Sequence, residues 1–200
     1  MSQPELRPVR LVMYGDFNCP YSALASRRAT TLEQRGELTV DWRSVEHDPS
    51  IPDTGELMTG DNRQNAEREL DQIRELLVED ERDALRVPPK RANTSLVTEA
   101  YAAKSPLARA VLREQVFATY WQDGEDLTDP AVVRRLCGDG DDPLVAARWR
   151  EQWLALPRPI VPVLVMPDGY VSRGLGALER LRLLRTMVRR KQPVTSSERV

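Results

Sequence analysis

The 200-residue chain is poor in the residues that usually announce a reactive or metal centre: it has two cysteines, Cys19 and Cys137, and one histidine, His47. Two cysteines so far apart do not form a disulfide framework. A single histidine excludes a multi-histidine metal centre, and the spacing of these three residues does not support zinc. No run approaches the roughly 20 apolar residues that span a bilayer. The N-terminal MSQPELRPVR lacks the apolar stretch of a secretory signal, so the expected location is cytoplasmic. Formal net charge is -2 and the sequence pI about 5.6, which leaves no global field to draw in nucleic acid. What is present is an ordinary globular balance: 40% hydrophobic, 30% charged, mean hydropathy -0.51. The length suits one domain, or one domain with a large insertion.

Residues 9–14, VRLVMY, are short, apolar and β-prone, and predict a buried strand ended by Gly15 and Asp16. Pro20 then suits the first turn of a helix running to about Arg35, with Leu24, Ala25, Ala29 and Leu32 facing inward and Gly36 as the stop. Leu38–Val45 reads as a second strand, with Leu38, Val40 and Trp42 on one face. After the loop HDPSIPDTGELMTGD the period becomes helical. A helix is predicted over 62–86, then others near 94–103, 105–122, 129–137 and 142–155. Three of these start at Ser105-Pro106, Asp129-Pro130 and Asp142-Pro143, a capping residue followed by proline. A strand over Ile160–Met166 turns at Pro167-Asp-Gly169 into Tyr170-Val-Ser172, and a last helix covers about 176–191 with Leu178, Leu181, Leu184 and Val188. Its Arg180, Arg182, Arg185, Arg189, Arg190 and Lys191 read as a basic solvent face.

The order β-α-β, helical block, β-β-α predicts an α/β thioredoxin fold with an all-helical insertion, since the first β-α-β gives parallel strands through a right-handed crossover. The expected division is 1–58 and 157–191 for the thioredoxin-like part, 59–156 for the insertion, and 192–200 for a flexible tail.

Four segments resemble one family in particular: DFNCPYS between strand and helix; VDWRSVEHDP; Arg91-Ala-Asn-Thr-Ser95 followed by FATYWQDGEDLTDPA; and IVPVLVMPDGYVSRG. The chain resembles the DsbA-like thioredoxin family, on the branch with FrnE-type oxidoreductases, kappa-class glutathione transferases and 2-hydroxychromene-2-carboxylate isomerases. It departs from both of that branch's patterns. Ser22 stands where redox-active members carry a second cysteine, giving CPYS, and Cys19 stands where transferases and isomerases generally carry serine. Gly174-Leu-Gly-Ala177 stands where glutathione binders tend to carry Gly-x-Asp-Arg.

A cysteine at a helix N-terminus is favoured as thiolate by the unpaired N–H groups and the macrodipole, and such sites lower its pKa to roughly 3.5–7.5. The expectation is therefore a reactive Cys19 steadied by the Ser22 hydroxyl, against the alternative of a buried, inert thiol. With no second cysteine in the motif, release of a mixed disulfide needs an outside thiol or Cys137. Pro20 and Tyr21 flank the sulfur as substrate contacts. By resemblance, Val161-Pro162 is a cis-proline peptide facing the cysteine, with Val161 offering its backbone to a thiol compound. His47 either approaches the sulfur as base or stabiliser or is simply solvated. Asn93 either lines the cleft or caps a helix, and Arg173 is a candidate carboxylate holder.

The expected function is a thiol-disulfide oxidoreductase working by a monothiol mechanism through Cys19. Its co-substrate would be a low-molecular-weight thiol, glutathione or an equivalent, with no tightly bound cofactor or metal. Partners would be a small thiol or a protein disulfide, not nucleic acid or a membrane, with a homodimer left open. The alternatives are a transferase or isomerase of the kappa-like branch and a non-catalytic thioredoxin-fold binding module.

Overall fold

The computed structural model describes residues 9–36 and 38–189. A four-stranded sheet has the order β2-β1-β5-β6, built from β1 (Val9–Gly15), β2 (Leu38–Ser44), β5 (Val163–Val165) and β6 (Val171–Arg173). β1 and β2 run parallel, with Val9 opposite Leu38 and Gly15 opposite Ser44. They are joined by α1 (Pro20–Gln34). β5 lies antiparallel to β1, pairing Tyr14 with Val163, and β6 returns antiparallel to β5. The last helix, α7 (Leu175–Arg189), packs along α1. This is the thioredoxin-fold topology expected from the pattern of the sequence.

Between β2 and β5 lie β3 (Glu56–Leu57), α2 (Gly60–Leu76), β4 (Lys90–Arg91), α3 (Ser95–Ala102), α4 (Pro106–Trp121), α5 (Pro130–Cys137) and α6 (Pro143–Leu154). The three helices predicted from a cap plus proline begin as expected. Ser105 Oγ accepts from Ala108 N at 3.3 Å, Asp129 Oδ1 from Ala131 N at 2.8 Å and Asp142 Oδ1 from Val145 N at 2.9 Å. Each cap satisfies an N–H that the helix itself cannot reach.

Three local expectations are corrected. The helix predicted to reach residue 86 ends at Leu76, where Leu77 turns to extended backbone. Arg28 of α1 reaches across to the Leu76 carbonyl at 2.7 Å, and Glu81 binds both Arg28 and the Val78 N–H. The freed segment puts Leu85 into the core, 4% exposed. The expected 59–156 insertion is also not wholly helical: β4 lies within it and pairs antiparallel with β3 of the preceding segment, Glu56 opposite Arg91, because the chain before Ala92 runs extended through Pro88-Pro89. Finally, the strand expected over 160–166 shrinks to Val163–Val165, since Pro162 has no N–H for a ladder. The Val188 and Arg189 side chains, Arg190, Lys191 and the tail over 192–200 lie outside the described residues.

One continuous apolar core joins the sheet to the insertion. Phe17, fully buried at the end of β1, meets Tyr101 of α3 and Phe117 of α4 edge-on, with ring centroids 5.4 and 5.0 Å apart. Trp42 of β2 meets Phe117 at 5.6 Å. The corner that follows β1 is thus anchored from the insertion side by aromatic packing.

Candidate active site

The chain leaves β1 at Gly15 and enters α1 at Pro20, and the four residues between make a tight corner. Cys19 N donates to the Asp16 carbonyl at 3.1 Å, and Cys19 is the N-cap of α1, with extended backbone and Pro20 in the first turn. Trp121 Nε1 donates to the Phe17 carbonyl at 2.9 Å, and Asn18 Nδ2 to the Ala92 carbonyl at 2.8 Å, so the insertion grips the corner from α4 and from the segment after β4.

Asp16, fully buried, has a role that the sequence pattern, which marks it only as a strand breaker, does not reveal. Its Oδ1 accepts from Asn18 N at 3.1 Å and from Thr94 Oγ1 at 2.7 Å. Its Oδ2 accepts from His47 N at 2.9 Å and contacts His47 Nδ1 at 2.7 Å. One carboxylate therefore ties the corner, the loop after β2 and the start of α3 together. The available signal was position alone: a carboxylate three residues before a helix-capping cysteine, beside the end of a parallel partner strand.

Cys19 lines a cleft of about 280 Å³ with Asn18, Pro20, Tyr21 and His47, and with Arg91 and, from α2, Asn62, Asn65 and Glu69. Its own exposure is only 8%. Burial dominates its acidity, pushing the thiol from 9.0 up to about 11. Hydrogen bonds from the Ser22 side chain and from the Ser22 and Tyr21 backbone oppose that shift, and the Asp16 charge adds to it. The expected lowering of the thiol is corrected here: the helix N-terminus supplies the donors, but loss of water around the sulfur outweighs them. Ser22 is fully buried, and its Oγ also accepts from Asp16 N at 3.3 Å.

His47 pairs with Asp16. Burial disfavours its charged form, but the hydrogen bond and charge of Asp16, helped by Asp48, outweigh burial and raise its pKa. In the same cleft, burial raises Glu69, against the attraction of Arg91 and His47. Arg91 binds Asp48 at 2.6 Å and Glu56 at 3.7 Å. Tyr21 is raised by burial, with Glu69 and Cys19 adding to it, and its hydroxyl donates to Gln72 Oε1 at 2.5 Å.

Other candidates lie elsewhere. Asn93 is a helix-start residue and not a wall of this cleft: its Oδ1 accepts from Ser95 N at 2.9 Å and its Nδ2 donates to the Ile51 carbonyl at 2.8 Å. Arg173 lies on β6, two strands from β1, and lines a separate groove. Cys137, 7% exposed at the end of α5, does not line the Cys19 cleft, and burial pushes it up to about 11. The Val161–Pro162 peptide is cis. Neither residue lines the cleft, but carrying the β1–β5 register one step past Tyr14 and Val163 sets Pro162 opposite Gly15, at the sheet edge where the Cys19 corner begins.

The model of the DSBA-like thioredoxin domain matches residues 10–140. The chain belongs to the DSBA-like thioredoxin domain family. No curated protein matches it. Among solved structures it is similar to a probable DsbA oxidoreductase from Streptomyces coelicolor, at 17% identity and TM-score 0.65 over 95% of this chain and 94% of that one. It is also similar to a 2-hydroxychromene-2-carboxylate isomerase, at 19% identity and TM-score 0.60 over 90% and 95%. A third is the cytosolic disulfide reductase DsbM from Pseudomonas aeruginosa, solved with GSH, at 16% identity and TM-score 0.60 over 92% and 98%. These likenesses concern the fold. By name, these relatives are a probable oxidoreductase, an isomerase and a disulfide reductase. Among the described residues no helix is long and apolar enough to cross a membrane.

Proposed function

We propose that the protein is a monothiol thiol-disulfide oxidoreductase acting through Cys19 with a low-molecular-weight thiol. The observation that carries the reading is the single cysteine at the cap of α1, lining a polar cleft, with the buried Ser22 three residues on in place of a second thiol. In the forward step the Cys19 thiolate attacks one sulfur of a disulfide R–S–S–R′. A Cys19–S–S–R bond forms, the original S–S bond breaks, and R′–S⁻ leaves and takes up the proton that Cys19 lost. A second small thiol then attacks the R sulfur, giving a small disulfide and returning Cys19 to the thiol. In net, one small thiol is consumed: with R–S a small-thiol group of a mixed disulfide R–S–S–R′, that group ends in the small disulfide and R′ leaves as a thiol.

The acidity of Cys19 indicates direction. A thiol pushed up to about 11 is a poor leaving group, so release of its mixed disulfide is the slow step and the sulfur is a weak oxidant. That favours a reductase over a strong oxidant, whose thiolate must be stabilised. The cleft offers polar contacts suited to a small peptide-like thiol. Asn18 Oδ1 is buried there without a hydrogen-bond partner, Arg91 and His47 offer positive charge, and Glu69 offers a carboxylate for an ammonium group. The GSH in the DsbM structure supports such a ligand class. Val161, beside Pro162, would pair its backbone with the bound thiol compound.

The test is intact mass after incubation of native protein with oxidised glutathione. One adduct on Cys19, released by added thiol and absent in Cys19→Ser, is expected; Ser22→Cys should convert it to an internal disulfide. An adduct that forms only after unfolding would remove the proposal. A second reading rests on the same raised pKa: a neutral Cys19 S–H donates a hydrogen bond to a bound thiolate, as a serine hydroxyl would, and the enzyme is a thiol-dependent transferase or isomerase. Thiol-dependent turnover that survives Cys19→Ser but not Cys19→Ala would select it.

A further inference from the structure

A second groove, of about 500 Å³, lies on the far edge of the sheet, between β6, the segment entering β5 and the first turns of α7. Its chemistry is unlike that of the acidic protein around it. Arg158, Arg173 and Arg180 line it, and none of the three makes an ion pair with a carboxylate among the described residues. Arg173 Nε is buried without a hydrogen-bond partner. Arg158 adopts a left-handed backbone, φ 52°, rare for a residue with a side chain. The one carboxylate in the groove, Glu179, is engaged by Arg182 Nε at 2.7 Å. Gly176, in the first turn of α7, brings the positive end of a 15-residue helix to the same place.

Apolar surface accompanies the charge. Ile160 is 54% exposed and Tyr170 53%, and the Arg180 guanidinium lies 4.9 Å from the Tyr170 ring centroid. The backbone of β6 is also open. It is the last strand of the sheet among the described residues. Met166 N bonds the Tyr170 carbonyl and Gly174 N the Pro162 carbonyl, so the hydrogen-bonded pairs with β5 fall on even-numbered residues. In an antiparallel ladder the intervening residues direct their N–H and C=O away from the partner strand. Val171 and Arg173 therefore offer main-chain groups along the outer edge.

We propose that this edge is a docking site for an extended acidic peptide segment of a partner protein, which adds as a strand to β6. Its carboxylates meet Arg158, Arg173 and Arg180, and an apolar side chain rests on Ile160 and Tyr170. Exposed backbone groups select a peptide over a small carboxylate, because strand addition uses main-chain bonds for affinity and side-chain pockets for specificity. The arginines, without a carboxylate partner among the described residues, select an acidic partner over a second copy, which would bring its own arginines to the same edge. The proposal is independent of the chemistry at Cys19.

The experiment is fluorescence anisotropy of the full chain with a labelled decapeptide alternating glutamate with valine and tyrosine, beside the same peptide with lysine for glutamate. Saturable binding of the acidic probe alone is expected, weakened at least tenfold by the double substitution Arg158→Glu, Arg180→Glu. Val171→Pro, which removes an outward N–H at an edge position that tolerates proline, should weaken it further. Circular dichroism checks the fold of each variant, and Arg158→Glu alone, on an exposed loop, serves if the double variant does not fold. Equal binding of the lysine probe, or affinity unchanged by the arginine substitutions, overturns the proposal. So does insensitivity to a folded Val171→Pro combined with full displacement by phenylacetate, which would mark a small-carboxylate site. Self-association abolished by Arg158→Glu, with no binding of the acidic probe, would assign the edge to a second copy.

Discussion

The acidity of Cys19 gives the sharpest test of the site. Moving the thiol from 9.0 to about 11 leaves about 100-fold less thiolate at pH 7, since alkylation follows the thiolate and each pKa unit is tenfold. The measurement is the iodoacetamide labelling rate of native protein across pH, read by peptide mapping to separate Cys19 from Cys137, with guanidinium-unfolded protein as the free-thiol reference. Native labelling at neutral pH should run about 100-fold below the reference or slower, because 8% exposure also hinders access. It should climb about tenfold per pH unit with no plateau below pH 10. Two variants separate the causes. Ser22→Ala removes a hydrogen bond to the sulfur and should slow labelling further, whereas Asp16→Asn removes a nearby negative charge and should speed it. A plateau with its midpoint below 9.0 in folded wild-type protein would refute the reasoning, because the helix terminus would then outweigh desolvation.

Three further outcomes follow from the geometry. The His47–Asp16 pair raises the His47 pKa, so its contribution to stability is full below the unfolded value near 6.5 and is lost as pH rises through the folded value; urea unfolding against pH should show this loss in wild type and not in His47→Gln. Glu81 sits between the buried Arg28 and Arg185; burial opposes its charge, but the arginines outweigh burial and lower its pKa. Its contribution is therefore present above the unfolded value near 4.5 and lost as pH falls through the folded one. Glu81→Ala leaves two buried guanidinium groups without that carboxylate and should cost about 3–5 kcal/mol in denaturant unfolding. In Gly15→Ala the new methyl would stand 2.3 Å from Trp42 Cζ2, an overpacking worth about 1–3 kcal/mol; a variant as stable as wild type would show that Trp42 shifts freely.

The local pattern of residues was enough for the helix starts at Ser105-Pro106, Asp129-Pro130 and Asp142-Pro143, for the placement of Cys19 at the cap of α1, and for the order of the helices and of the main sheet's strands, but not for the β3–β4 ribbon. Capping, proline geometry and side-chain period act within a few residues, so they can be read in one dimension. The charge state of Cys19, the linking role of Asp16, the wall of the cleft supplied by α2 and Arg91, and the separation of Arg173 from the cysteine were decided only by tertiary structure. Each depends on segments tens of residues apart meeting around one atom: water is removed from the Cys19 sulfur by the insertion as well as by its own helix, and Asp16 is saturated by donors from three parts of the chain. Solvation and charge are properties of a volume, and the residues that fill that volume are not neighbours in the sequence.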